Sequence, residues 1–90
     1  MAIEYWHRII KFEILNDYFL KLFFNDDSVL LFNISDYFKN ESIFNILKDK
    51  NLFNEVKIAD DGRSLIFPYE LDFCADSLWL KAHPEKNHPY

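Results

Sequence analysis

Cys74 is the chain's only cysteine, and it lies two residues after Asp72 and two before Asp76 in the stretch FPYELDFCADSLW, Phe67 to Trp79. A thiol among carboxylates raises the possibility of nucleophilic or redox chemistry, but a thiol nucleophile needs a base held beside it. The three histidines, His7, His83 and His88, sit toward the ends of the sequence and none falls in this stretch. The expectation for Cys74 is therefore a small buried thiol at the end of a strand. A metal site from Cys74, His83 and His88 fails on spacing, because the sequence has no CxxC or HxxxH pair. Asp26-Asp27 and Asp60-Asp61 lack the alternating acidic ligands and distal Glu of a calcium loop, and read as turns.

Asp72 is the remaining candidate. Between Leu71 and Phe73 it would face away from both neighbours if the chain is extended there, and a buried carboxylate would need donors or a partner charge. The structural expectation is an Asp bonded to main-chain amides around the last turn; the functional one is a recognition residue. No nucleophile–base pair, phosphate loop or metal set can be assembled, so no cofactor or metal is expected. A small enzyme or ligand-binding protein using the Asp72 region is the weaker reading.

These residues must be positioned by a small body. Ninety residues make one domain near the lower limit for a single core without a crosslink. Half of them are hydrophobic, with ten Phe, five Tyr and two Trp, and each ring buries about 150–250 Å² when enclosed. So many rings predict that some reach the surface, where a patch of them marks a partner or dimer interface. One cysteine excludes an internal disulfide and fits a reducing, cytosolic setting. No leader-like amino terminus or window of about 20 apolar residues occurs, so neither export nor a membrane partner is expected. The net charge of -5 has lysines scattered among acids. Without a basic stripe, this chain alone is not expected to bind nucleic acid.

Periodicity orders the elements. Arg8 to Ile14 alternates as a half-buried strand, with Ile10, Phe12 and Ile14 on one side and Lys11 and Glu13 on the other. Asn16-Asp17 turns into Tyr18–Phe24, which places Leu20, Leu22 and Phe24 on one face and Lys21 between Phe19 and Phe23 on the other. Asn25-Asp26-Asp27 turns into Val29–Ile34, completing a three-stranded antiparallel meander. Ser35 is predicted to cap a helical turn, Ser42–Asp49 a short helix with Ile43, Phe44, Ile46 and Leu47 at helical spacing, and Asp49 a further turn that buries Leu52 and Phe53. Val56–Ile58 and Ser64–Phe67 form a hairpin around Asp60-Asp61-Gly62. Pro68 ends that strand, Tyr69-Glu70 turns the chain, and a last helix starts at Cys74 with Leu78 and Trp79 turned to the core. Residues 1–82 form the domain and 83–90 a polar tail expected to be flexible and unpacked.

Three passages, YFLKLFFNDDSVLLFNISDYF, IFNILKDKNLFNEVKI and FPYELDFCADSLW, together resemble the small bacterial domains called the domain of unknown function 2442 family. In the middle one, Leu47, Asp49 and Phe53 match the family's Leu-x-Asp-Pro-x-x-Phe. Phe67-Pro68 stands where members often have Trp-Pro, and Asp72 stands at an acidic family position. The chain departs at Asp36, Lys50 and Ala75, where members usually place proline at a helix start, and at Tyr69-Glu70, where members have an Asn-Gly turn. The resemblance implies an α+β domain with an antiparallel sheet and short helices. For function it implies only the regulatory or toxin-antitoxin-like pairing suspected for members.

The fold expectation is thus α+β: a three-stranded meander, two short helices, a hairpin and a short C-terminal helix. One face of the meander can be covered by helices. Tyr18, Phe19, Phe23 and Phe32 then point to a protein partner or homodimer on the other face or along an open edge strand. The expected function is a non-enzymatic protein-interaction or regulatory module.

Overall fold

A computed structural model describes residues 7–84. Strands β1 (Ile9–Ile14), β2 (Phe19–Phe24) and β3 (Val29–Asn33) form an antiparallel sheet in the order β1-β2-β3. The alternation of β2 is realised: Leu20, Leu22 and Phe24 are buried, while Phe19, Lys21 and Phe23 lie on the outer face. In β1 the expected uniform alternation is broken. The register shifts between Ile9 and Lys11, so Ile9 pairs with Phe24 and is buried, while Ile10 is 62% exposed and Ile14 also meets solvent. A bulge adds one residue and reverses which side chains face inward before it, which uniform alternation cannot anticipate.

The β1–β2 turn holds Asp17 and Tyr18 at φ 60° and 69°, and the Phe19 N–H closes it onto the Asn16 carbonyl at 3.2 Å. Left-handed backbone is unfavourable for a bulky residue, and Tyr18 is held there by its surroundings. Its hydroxyl donates to the Lys48 carbonyl, and its ring meets Phe38 and Phe53 edge-on at 5.1 and 5.3 Å.

After β3 the chain makes two 3₁₀ segments, Ile34–Tyr37 and Ile43–Lys48, then the single-turn helix α1 (Lys50–Phe53). The first cap is Asn33 rather than the expected Ser35: its side chain accepts from the Ser35 N–H at 3.0 Å and from the Ser35 hydroxyl at 2.6 Å. Ser42 and Asp49 cap as expected, accepting from the N–H groups of Phe44 at 3.1 Å and Asn51 at 2.9 Å. Because Ile43–Lys48 winds with a three-residue period, Leu47 is buried while Ile43 is 69% exposed, against the burial predicted for an α-helix.

A second antiparallel sheet, order β4-β5-β6, contains Lys57–Ile58, Ser64–Phe67 and Leu71–Cys74. Its first hairpin turns at Gly62, at φ 75°, whose carbonyl accepts from the Ile9 N–H at 2.8 Å. β6 is the strand the sequence reading lacked. Pro68 does end β5, but Tyr69 and Glu70, at φ 64° and 61°, form a tight reversal and the chain pairs back on β5. Consecutive left-handed residues of this kind are what Asn-Gly ordinarily supplies in a tight turn. Helix α2 (Ala75–Ala82) follows directly.

The two sheets share one core. Leu20, Leu22 and Phe24 of the first join Leu65, Phe67 and Leu71 of the second, with Phe53 of α1 and Ala75 and Leu78 of α2. Each fully enclosed large side chain contributes about 1.5–3 kcal/mol. Phe32 of β3 meets Phe73 of β6 edge-to-face at 5.0 Å, and Phe53 stacks on Phe67 at 6.0 Å. This is an α+β architecture of two small meanders with short helices.

Candidate functional site

The core consumes the inner face of the first sheet and leaves its outer face uncovered by any other described element. Phe19, Lys21 and Phe23 of β2 lie there beside Val29, Leu31 and Asn33 of β3. Leu31 is 59% exposed and Val29 44%. Phe23 is partly screened by the ammonium groups of Lys11 and Lys21, at 4.9 and 5.3 Å from its ring centre. Lys11 also pairs with Glu13 at 3.7 Å.

Along β3 the face turns into a groove of about 660 Å³, lined by Phe19, Leu31 and Tyr37 with Asp36, Lys39 and Lys81. The ladder explains why this edge is open. The Phe24 N–H donates to the Ser28 carbonyl at 2.9 Å and the Ile34 N–H to the Tyr18 carbonyl at 3.0 Å. Hydrogen-bonded pairs alternate in an antiparallel ladder, so residues 28, 30, 32 and 34 face β2 and the backbone groups of Val29, Leu31 and Asn33 point outward. Among the described residues, no group bonds to the N–H groups of Val29, Leu31 and Asn33 or to the carbonyls of Val29 and Leu31, while the Asn33 carbonyl takes the first bond of the 3₁₀ segment Ile34–Tyr37.

The four aromatics expected to mark an interface therefore divide. Phe19 and Phe23 belong to the outer face. Phe32 is 3% exposed and belongs to the core, and Tyr18 joins the first turn to the helical segment. Sequence alternation assigns Phe32 to a face but cannot say which face is covered.

The other singled-out residues serve the scaffold. Asp49 caps α1, Phe53 and Phe67 stack inside, and half-buried Pro68 follows β5 into the tight turn. Asp72 is exposed on the outer face of the second sheet, where it pairs in register with Ile66 of β5, itself opposite Lys57 of β4. It makes no hydrogen bond or ion pair among the described residues, which corrects the expected amide-bonded carboxylate. Cys74 is likewise exposed rather than buried. Strand β6 turns Leu71 and Phe73 inward, so its even positions face out. Among the described residues no three His, Cys, Asp or Glu side chains gather as metal ligands.

Trp79 does not simply turn to the core. Its indole is sandwiched between His7 at 4.1 Å and His83 at 3.9 Å, and its Nε1–H donates to Asp26 at 2.8 Å. His83 Nε2 also lies 2.8 Å from the Ser28 hydroxyl. His83 thus packs, although composition assigned it to the tail; residues 85–90 of that tail lie outside the described residues. Partial burial raises the Asp26 pKa, but hydrogen bonds from Ser28 and Trp79 outweigh it and hold the carboxyl below its ordinary 3.8. One turn before Trp79 on the same face of α2, Asp76 accepts from the His7 N–H at 3.1 Å and pairs with Arg63 at 2.9 Å. Ser28 and His83 form a hydroxyl–imidazole pair that sequence distance concealed, but neither lines the groove.

The whole two-meander body, from β1 through α2, matches one family model, described as a protein of unknown function (DUF2442), over residues 9–84. The chain belongs to the DUF2442 family. No curated protein and no solved structure matches it. Within this DUF2442 domain the Leu47, Asp49 and Phe53 pattern is a capping and core signature, and the Tyr69-Glu70 turn keeps the tight reversal despite lacking Asn-Gly. Among the described residues, no helix is long and apolar enough to cross a membrane.

Proposed function

We propose that this DUF2442 domain is a non-enzymatic protein-interaction module that works through the outer face of its first sheet and the edge of β3. The observation that carries the reading is Leu31: a large aliphatic side chain, 59% exposed, beside Val29 and Phe19 at the mouth of a groove. Burying such a cluster stabilises a complex by about 25 cal/mol per Å² of apolar area removed from water, less the cost of association. The groups with chemical potential do not converge on the groove. Cys74 and Asp72 lie on β6, and the Ser28–His83 pair lies at the β2–β3 turn. Regulatory pairing with a second protein is the form of function that fits a face of this kind.

Photo-crosslinking in cells that make the protein tests the proposal. A photoreactive residue at position 31 should give discrete protein adducts, while the same residue at exposed position 72 should not. Equal labelling at the two positions, or none at 31, would sink the reading.

A further inference from the structure

We infer that the occupant of the β3 edge is a second copy of the chain, joined by antiparallel pairing of β3 with its own two-fold mate. The inference rests on the interaction reading above and adds the partner and the geometry. Val29, Leu31 and Asn33 direct their N–H and C=O groups away from β2. A two-fold axis at Leu31 sets Leu31 against its counterpart and Val29 against the mate's Asn33, which satisfies about four backbone hydrogen bonds and fuses two sheets into one.

Three features favour self-pairing at this edge. First, VLLFN contains no charge, proline or bulge, the usual devices that stop edge-to-edge association, whereas β1 carries a bulge and the Lys11–Glu13 pair. Second, no residue of β3 would set like charges opposite each other across the axis. Third, the charge distribution is suited to it. The chain carries -5 overall, yet the outer face and groove rim hold Lys11, Lys21, Lys39 and Lys81 against Glu13 and Asp36. The acid excess therefore lies elsewhere, and the axis carries the mate's β2–β3 turn, with its exposed Asp27, toward the end of the groove that holds Lys39 and Lys81. The groove leaves room beside β3 for the mate's strand.

Light scattering of the purified full chain, from about 10 μM to about 1 mM, reads the result. The expected mass is twice that of the chain at high concentration, with slowed hydrogen exchange at the amides of Leu31 and Asn33. Leu31→Pro removes only an outward-pointing N–H and leaves the β2 ladder intact, so it should stay folded by near-ultraviolet circular dichroism and become monomeric. Leu31→Lys, which opposes two ammonium groups across the axis, should also be monomeric and serves if the proline variant does not fold. A monomeric parent throughout, or a dimer that survives the substitution, overturns the inference. If the parent is monomeric while position 31 crosslinks to a different protein, the second-copy inference falls and the interaction reading stands.

Discussion

Asp26 shows what a single exposed side chain can do when its neighbours are chosen. It accepts from the Ser28 N–H at 3.0 Å and from the Trp79 indole at 2.8 Å, fastening the β2–β3 turn to α2. Partial burial works against its ionisation and these donors work for it, with a net lowering of its pKa. The linkage has a definite sign. The contribution of ionised Asp26 to stability is fully present above the unfolded value near 3.8 and is lost as pH falls through the lower folded value. The Trp79 Nε1–H resonance should therefore titrate with a midpoint below that of a free Asp, and Trp79→Phe should move the Asp26 midpoint upward; a carbon-detected titration of the Asp26 carboxyl checks both. Tyr69 and Glu70 pose the opposite case, since both occupy left-handed backbone without the side chains that suit it. The double substitution Tyr69→Asn, Glu70→Gly should raise unfolding stability by about 1–2 kcal/mol, read from the denaturant midpoint.

At the level of elements, each hairpin has a turn matched to its strands, and Gly62 does two jobs in its own. It sits at φ 75°, and a Cβ there would come within 3.1 Å of Arg8 Cβ and 3.3 Å of the Ile9 carbonyl. Gly62→Ala should therefore both strain the turn and push β1 away from the second sheet, at a cost of about 1–3 kcal/mol in urea unfolding. Element types were largely legible in the sequence because turn chemistry and two-residue alternation coincide in β2, β3 and β5. The failures have specific physical origins. The β1 bulge reversed Ile9 and Ile10, the 3₁₀ period exposed Ile43, and a turn without glycine or asparagine concealed β6 behind Pro68. For the site, the sequence identified Phe19 and Phe23 on a common face. It could not identify Leu31 or the open edge of β3, because edge position is a property of sheet order rather than of residue type.

For the molecule as a whole, the consequence of a shared core is cooperativity. Neither meander can hide its apolar face alone, and the stack of Phe53 on Phe67 ties α1 to the second sheet. Phe67→Ala, at a position 1% exposed, should cost about 3–5 kcal/mol. Near-ultraviolet and far-ultraviolet circular dichroism should then show one coincident transition at a lower denaturant concentration, whereas separate transitions would mean that the sheets unfold independently.

The order of the two meanders along the chain also matters during synthesis. The segments of β1 to β3 are complete by Asn33, while the residues that cover Leu20, Leu22 and Phe24 arrive from Leu47 and Phe53 onward and end with Leu78. At translation rates of about 5–20 residues per second, the ribosome exposes three apolar strand segments several seconds before their cover is complete. A chaperone that holds hydrophobic surface would therefore shield these segments until Leu78 emerges.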